Sequence, residues 1–375
     1  MSCEVAVLTA LNAGQWPPPI ERWPDFLSVA GGNGLAALAA SHLPSDSPSD
    51  LLQRARLLAM QAAARHAAAA YQLGDVARAV SSAGVPFVVL KGLSLSTQVY
   101  RQPWHRLSGD LDLLVRTTDL PALESLRESM GYVAGERDYQ TQHHHLAPWV
   151  KPNACAIEWH WRPIDCAHAA GFDEAELTGV WSRVRPLALE SGEALILAPE
   201  DQLLTLCAHW ALSHRCLGGL RPLLDLALVC QTYAHELDWA AFWRRAERWH
   251  IVHGAALSLA MASDLAGAQV PAGGPIEVDA ERMSRVRSRV LGDTDPRRAM
   301  LLAEALHRGP AAVGLAVMRR LVDTRGMASK GIGGWRRHLA GLWRRQGSLL
   351  RDLCDRSERK DLAAEGEIAA WLSER

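Results

Sequence analysis

The sequence predicts an α+β fold: a small mixed β-sheet with flanking helices, embedded in a mostly helical chain. Three observations carry this expectation. Residues 50–82 keep apolar side chains at helical spacing, residues 85–115 switch to short β-branched runs, and from Pro199 onward helical patterning returns and runs towards Arg375. At roughly 100 to 200 residues per domain, a chain of this length makes two or three domains with material for a buried core.

Taken in order, residues 1 to 84 are rich in Ala and Leu. They break at Trp16 to Pro19 and again at the Ser/Pro/Asp stretch from Ser41 to Asp50, so two or three helices are expected, the last ending at Ser81, Ser82 and Gly84. Val85 to Leu90 (VPFVVL) reads as a buried strand closed by Lys91-Gly92, and Leu93 to Tyr100 as helical. Leu111 to Val115 is a second strand. A helix from Pro121 to Met130 follows, capped by Thr118 or Asp119 and stopped by Gly131. Tyr132 to Ala134 and Ala156 to Trp161 are further strands. Val184 to Leu189 and Ala194 to Leu197, joined across Glu190-Ser191-Gly192-Glu193, form a hairpin. Pro199, Glu200 and Asp201 then open a helix, since a first turn favours proline and acids.

Composition narrows the function classes. Forty Lys and Arg against forty-one Asp and Glu give a net charge of −1, so any attraction to nucleic acid or an acidic membrane must be local. Only four of the forty basic residues are lysines, Lys91, Lys151, Lys330 and Lys360, which makes each lysine worth a question. Seven scattered cysteines without a CxxC pair argue against a disulfide framework or a cysteine zinc site. With no signal-peptide pattern and no run of about 18 apolar residues, a cytoplasmic chain without a membrane span is expected.

Chemistry is concentrated in GDLDLLV. In a strand, Asp110 and Asp112 project from one face while Leu111 and Leu113 take the other. Two convergent carboxylates suit a hard divalent cation such as Mg²⁺, which keeps waters and is shared with substrate phosphates. Lys91-Gly92, ending the preceding strand, offers a cation and a glycine at a strand-to-helix turn, where backbone N–H groups meet anions. Glu158 stands inside the apolar, aromatic run IEWHW, where an acid without a role is costly.

LKGLSLSTQVYRQPWHRLSGDLDLLV, Gly131-Tyr132, IEWHW, LAPEDQLLTLCAHWALSHR and LRPLLDLALV together resemble a bacterial nucleotidyltransferase family of the DNA polymerase beta-like superfamily. Some of its members sit beside genes for peptide natural products, lasso peptides among them. The resemblance covers residues 85 to 250. It implies a nucleotidyltransferase core at 85–198 and a helical region at 199–270 contacting substrate or nucleotide; patterning adds an N-terminal helical region at 1–84 and a helical, basic region at 271–375. It implies Asp110, Asp112 and Glu158 as catalytic metal ligands for Mg²⁺, two ions in number, with an NTP such as ATP as co-substrate. Glu158 either holds the metal on the nucleophile side or draws off the proton. Lys91, Gly92, Ser94 and Arg106 are the nucleotide-binding set, although Leu93 follows Gly92 where that pattern has Ser or Gly, so Lys91 takes on more of the phosphate grip. The implied reaction is attack by a hydroxyl of a small molecule or peptide on the α-phosphate, with release of pyrophosphate.

Other residues carry competing readings. His160 shares a strand face with Glu158 and either orients it, contacts substrate or packs beside Trp159 and Trp161. His143, His144 and His145 read as loop or cleft lining rather than a metal tract, because adjacent side chains diverge. On the helix from Pro199, Leu203, Cys207 and Trp210 form an apolar stripe and Gln202, Thr205, His209 and Ser213 a polar one. The resemblance makes His209, His214, Arg221 and Asp225 substrate-contact candidates; for Asp225 the alternative is a salt bridge to Arg221, one helical turn away. Arg319 to Arg351, with nine Lys or Arg against Asp323 alone and with Trp335 and Trp343 interleaved, reads either as a solvated helix face or as a binding segment for an anionic partner. Two rival functions stand beside nucleotidyl transfer to a biosynthetic hydroxyl: a non-catalytic binding module for a peptide or maturation enzyme, and a toxin- or antitoxin-type transferase acting on protein or tRNA.

Overall fold

A computed structural model describes residues 1–135, 144–165, 169–189, 192–292 and 367–374. The chain separates into two compact units, Met1–Gly292 with Arg375, and Asp293–Glu374. Of the second unit only residues 367–374 are described, a short helix at 367–372; His143, Gly331 and the basic segment from Arg319 to Arg351 lie outside the described residues.

In the first unit, α1 (Cys3–Leu11), α2 (Trp23–Gly32) and α3 (Ala36–Ala40) precede the long α4 (Ser49–Ser82). The sheet region then runs β1 (Val88–Val89), α5 (Lys91–Gln98), β2 (Asp110–Leu114), α6 (Leu120–Ser129), β3 (Val133–Ala134), β4 (Trp149–Val150), β5 (Ala156–His160), α7 (Glu174–Arg183), β6 (Arg185–Leu189) and β7 (Gly192–Ile196). After it come α8 (Pro199–Ala208), α9 (Arg221–Thr232), α10 (Trp239–Arg248), α11 (Val252–Ala266) and α12 (Ala280–Leu291). The architecture is mixed α+β, as the patterning predicts. No helix among the described residues is long and apolar enough to cross a membrane.

Seven described strands pair in the order β3-β4-β5-β2-β1-β7-β6. β2 is central, parallel to β5 and antiparallel to β1, and β1 is in turn parallel to β7. The expected hairpin is the antiparallel pair of β6 and β7. One face of the sheet packs on α4: Leu73, Val76, Ala77 and Val80 meet Phe87, Val89, Leu111, Leu113, Ile157 and Trp159, all buried. Each large side chain removed from water there contributes about 1.5–3 kcal/mol, so this face fixes the register of β2 and β5. Alternate residues of the same strands, Asp110, Asp112, Glu158 and His160, therefore lie on the opposite face.

Two local expectations are corrected. The VPFVVL strand is paired over Val88–Val89 only, with Leu90 N–H donating to Asp112 O at 2.9 Å and Phe87 O accepting from Leu195 N–H at 3.1 Å as further links. Asp119 precedes α6 in a helical conformation after a 3₁₀ turn, so its side chain makes no capping bond. Of the polar stripe, Gln202 and Thr205 are buried like Leu203, because α9, α10 and α11 pack around α8. The apolar α1 packs on α9 and α11.

Candidate active site

The parallel ladder between β2 and β5 sets Asp112 opposite Glu158 and Asp110 opposite Ala156. His160, two residues on from Glu158, points to the same face. Its Nε2 lies 2.8 Å from Asp112 Oδ1 and 3.8 Å from Glu158 Oε2. Thus His160 holds Asp112 rather than Glu158. Lys91 Nζ donates to the same Asp112 oxygen at 3.2 Å. Lys91 has φ +43°, the left-handed region, at the start of α5; a lysine there carries strain of about 1–3 kcal/mol, which the ion pair offsets.

Gly92 earns its place by close approach. A Cβ there would fall 2.0 Å from Ser108 Oγ, so the glycine admits the loop that leads into β2. Ser108 in turn donates to Asp110 O at 2.7 Å and tightens the turn before the acidic pair. Ser108 was not among the residues read from the sequence, although the Ser-Gly-Asp turn preceding a strand signals it. Ser94 is buried, and its hydroxyl accepts a hydrogen bond from Gln98 Nε2 at 2.6 Å.

Arg106 and Asp225 meet each other. Arg106 Nε reaches Asp225 Oδ1 and Oδ2 at 2.9 and 3.0 Å, Arg106 Nη1 donates to Leu107 O, and Tyr100 OH donates to Asp225 Oδ1 at 2.6 Å. The pair clamps the loop before β2 to α9, and Asp225 takes its ion pair from Arg106. Arg221 lies against Gly34, where a Cβ would sit 2.8 Å from its Nη1. Burial, then the Arg106 charge, lower its pKa, while the fields of Asp225 and Asp110 reach it.

Beyond α8 the helix widens into a π turn, His209–Ser213, a geometry frequent at functional sites. His209 Nε2 and His214 Nε2 are 2.9 Å apart. Burial, then Lys91, lower the pKa of both rings, and Asp112 also acts on His209. On the other side, His145 bridges to His160 as an antiparallel partner, and their rings are 5.0 Å apart. His144 stacks on the same ring at 5.1 Å. The structure thus brings Lys91, Asp110, Asp112, Glu158, His160 and His209 to one place.

Charges there are uneven. Burial favours the neutral form of Asp112, but Lys91, His160 and His209 outweigh it and hold the carboxyl well below its usual range. Burial, followed by the Asp112 charge, pushes Asp110 and Glu158 up. His160 is lowered to about 4 by burial, against the pull of Asp112, so it is neutral near pH 7. Three carboxylates therefore face one ammonium. Asp112, Glu158 and His160 each offer one ligand atom within 4.8 Å of the others, a donor set that fits a divalent cation.

This sheet face, with convergent acids beside a lysine at a strand-to-helix turn, suits the handling of phosphate through a divalent cation. The model of a family of uncharacterised nucleotidyltransferases matches residues 19–267, and the chain belongs to that family. The match extends well upstream of the segment that carries the motifs. A comparison with curated proteins finds no match.

Proposed function

We propose that the chain moves a nucleoside monophosphate from an NTP to a hydroxyl of a small molecule or peptide in a biosynthetic pathway, on a core of the DNA polymerase beta-like kind. The observation that carries this is the unbalanced sheet face, three carboxylates against Lys91, in a member of a nucleotidyltransferase family. Asp110, Asp112 and Glu158 are the metal-holding set. These carboxylates would hold divalent cations, two Mg²⁺ in the simplest case, whose charge would neutralise phosphate and acidify the attacking hydroxyl.

Asp112, kept ionised by Lys91 and His160, is a constant ligand. Glu158, whose pKa is raised, is suited to take the hydroxyl proton as the O–P bond forms and the bond to pyrophosphate breaks. Lys91 meets the triphosphate as a point charge. The first-turn N–H groups of α5 at Gly92 and Leu93 lack intrahelical acceptors and suit phosphate oxygens, and Ser94 follows them on the same turn. Arg106, held by Asp225, acts by its field and by fixing the loop, whereas Arg221, His209 and His214, which share the electrostatic surroundings of Lys91, Asp110 or Asp112, are the candidates for contact with the triphosphate tail or the acceptor.

Purified protein incubated with each of several triphosphates, ATP first, with divalent metal and candidate hydroxyl acceptors, is expected to release pyrophosphate. Asp110→Asn combined with Asp112→Asn is expected to abolish it, by at least about 10³-fold. Release that persists in the double variant would remove the assignment.

A further inference from the structure

Carboxylates alone make an all-oxygen site, which suits Mg²⁺. The fold adds a nitrogen. His160 is 1% exposed and its Nε2 is aimed at the acids, 2.8 Å from Asp112 Oδ1 and 3.8 Å from Glu158 Oε2. Two donors in adjacent positions on one ion, each at roughly 2.1 Å, must lie about 3 Å apart. The Asp112 and His160 atoms already have that spacing, and the partly buried Glu158 side chain has room to adjust.

We propose that His160 is a ligand of the metal at this site, and that its imidazole makes the site prefer a first-row transition-metal dication, Mn²⁺ or Zn²⁺, to Mg²⁺. Placing that ion at the point of transfer rests on the function proposed above; the donor set itself rests on geometry alone. Imidazole suits first-row transition ions, whereas Mg²⁺ dehydrates reluctantly and favours oxygen and water.

Two further observations bear on the ring. Among the described residues His160 Nδ1 is buried without a hydrogen-bond partner, so no donor there fixes the proton on Nε2; Nε2–H faces ionised Asp112 in the metal-free chain, and ligation moves that proton to Nδ1. Among the same residues no acceptor supports the ring once it is a ligand. Outer partners of that kind are worth about 10- to 100-fold in affinity, so the ion is exchangeable and chelators strip it. His145, bridged to His160 and acting electrostatically on Glu158, makes the surroundings rich in nitrogen.

A structural role for His160, donating to Asp112 and nothing more, is separated from ligation by His160→Gln. The glutamine amide nitrogen reaches the position of Nε2 and still donates to Asp112, but it is a poor ligand for Mn²⁺ or Zn²⁺. Oxygen sites also favour Mn²⁺ modestly, so the decisive quantity is the change in the Mn²⁺/Mg²⁺ affinity ratio. The full chain, stripped with chelator, is titrated calorimetrically with Mn²⁺, Zn²⁺ and Mg²⁺ in the absence of nucleotide. The Mn²⁺ complex is then examined by pulsed electron paramagnetic resonance for nitrogen coupling.

Wild type is expected to show ¹⁴N modulation, and His160→Gln to lower Mn²⁺ affinity about tenfold or more with Mg²⁺ affinity held within about twofold. An unchanged ratio in a variant with native circular dichroism, or a wild-type Mn²⁺ complex without nitrogen coupling, overturns the proposal; the second measurement stands even if the variant does not fold. Pyrophosphate release, assayed in parallel, keeps the two readings apart. Nitrogen coupling without release of pyrophosphate from any triphosphate retains the ligand and removes the transfer function, and release without coupling removes the ligand alone.

Discussion

Where α7, α8 and α10 meet, two acids face two guanidiniums: Asp201 takes Arg183 at 2.8 Å and Arg245 at 3.0 Å, and Glu200 lies 3.6 Å from Arg245. On the sheet face, Asp110, Asp112 and Glu158 face Lys91 and imidazoles that burial keeps neutral. Both clusters are buried, yet one closes its charges internally and the other does not. A buried charge without a partner is expensive, so the first cluster needs nothing more, whereas the second is suited to a cation from outside. The contrast separates a structural network from a site without appeal to which residues are shared with relatives.

Removing one member from the closed cluster should have the largest effect on stability. Asp201 is fully buried, and Asp201→Asn leaves Arg183 and Arg245 with Glu200 beside Arg245 and the field of Glu176 on Arg183. The expected loss is about 3 kcal/mol, the low end of the 3–5 range for a broken buried pair, because Arg183 is partly exposed and can rehydrate. Urea unfolding followed by tryptophan fluorescence measures it. A loss near zero would mean that the network is not what joins these helices.

The acidic face was legible in the sequence because it depends on a local rule. A two-residue period puts Asp110 with Asp112 and Glu158 with His160 whatever else the chain does. The partner of Asp225 was not legible. Arg106 is 119 residues away and Tyr100 is 125, so the helical neighbour Arg221 was the natural choice from spacing alone. Short elements escaped for a related reason: β4 is two residues long and is held by pairing with β3 and β5 rather than by its own composition. A second reason for glycine at position 92 was hidden from the sequence. Gly92 stands beside a turn suited to phosphate, but the space its missing Cβ leaves is taken by Ser108.

That contact gives a second, smaller effect, confined to the open cluster. Gly92→Ala drives its Cβ into the Ser108 side chain, and the loop ahead of Asp110 must shift, at a cost of about 1–3 kcal/mol for overpacking. Ser108→Gly in the same chain should recover much of this, and more than it adds to wild type. Additive losses in the double-variant cycle would show that the two residues do not press on one another.

The smallest effect has the opposite sign. Asp110 and Glu158 have raised pKa values, from burial first and then from the Asp112 charge. Without metal, the folded chain therefore keeps protons that the unfolded chain has lost, and its stability falls as pH rises from the ordinary carboxylate range through the raised values. Asp112 is shifted the other way; its contribution is lost only as pH falls below that range, so the two windows separate. Asp110→Asn removes one of the crowded charges. In the presence of chelator, the variant should match wild type at the acid end and exceed it near pH 7, by about 2–4 °C in melting temperature for each kcal/mol recovered. Saturating divalent metal should reverse the order, because wild type then gains a ligand that the variant lacks. If the variant is less stable than wild type at neutral pH in chelator, Asp110 is already compensated within the fold, and the sheet face is a closed network like the one around Asp201.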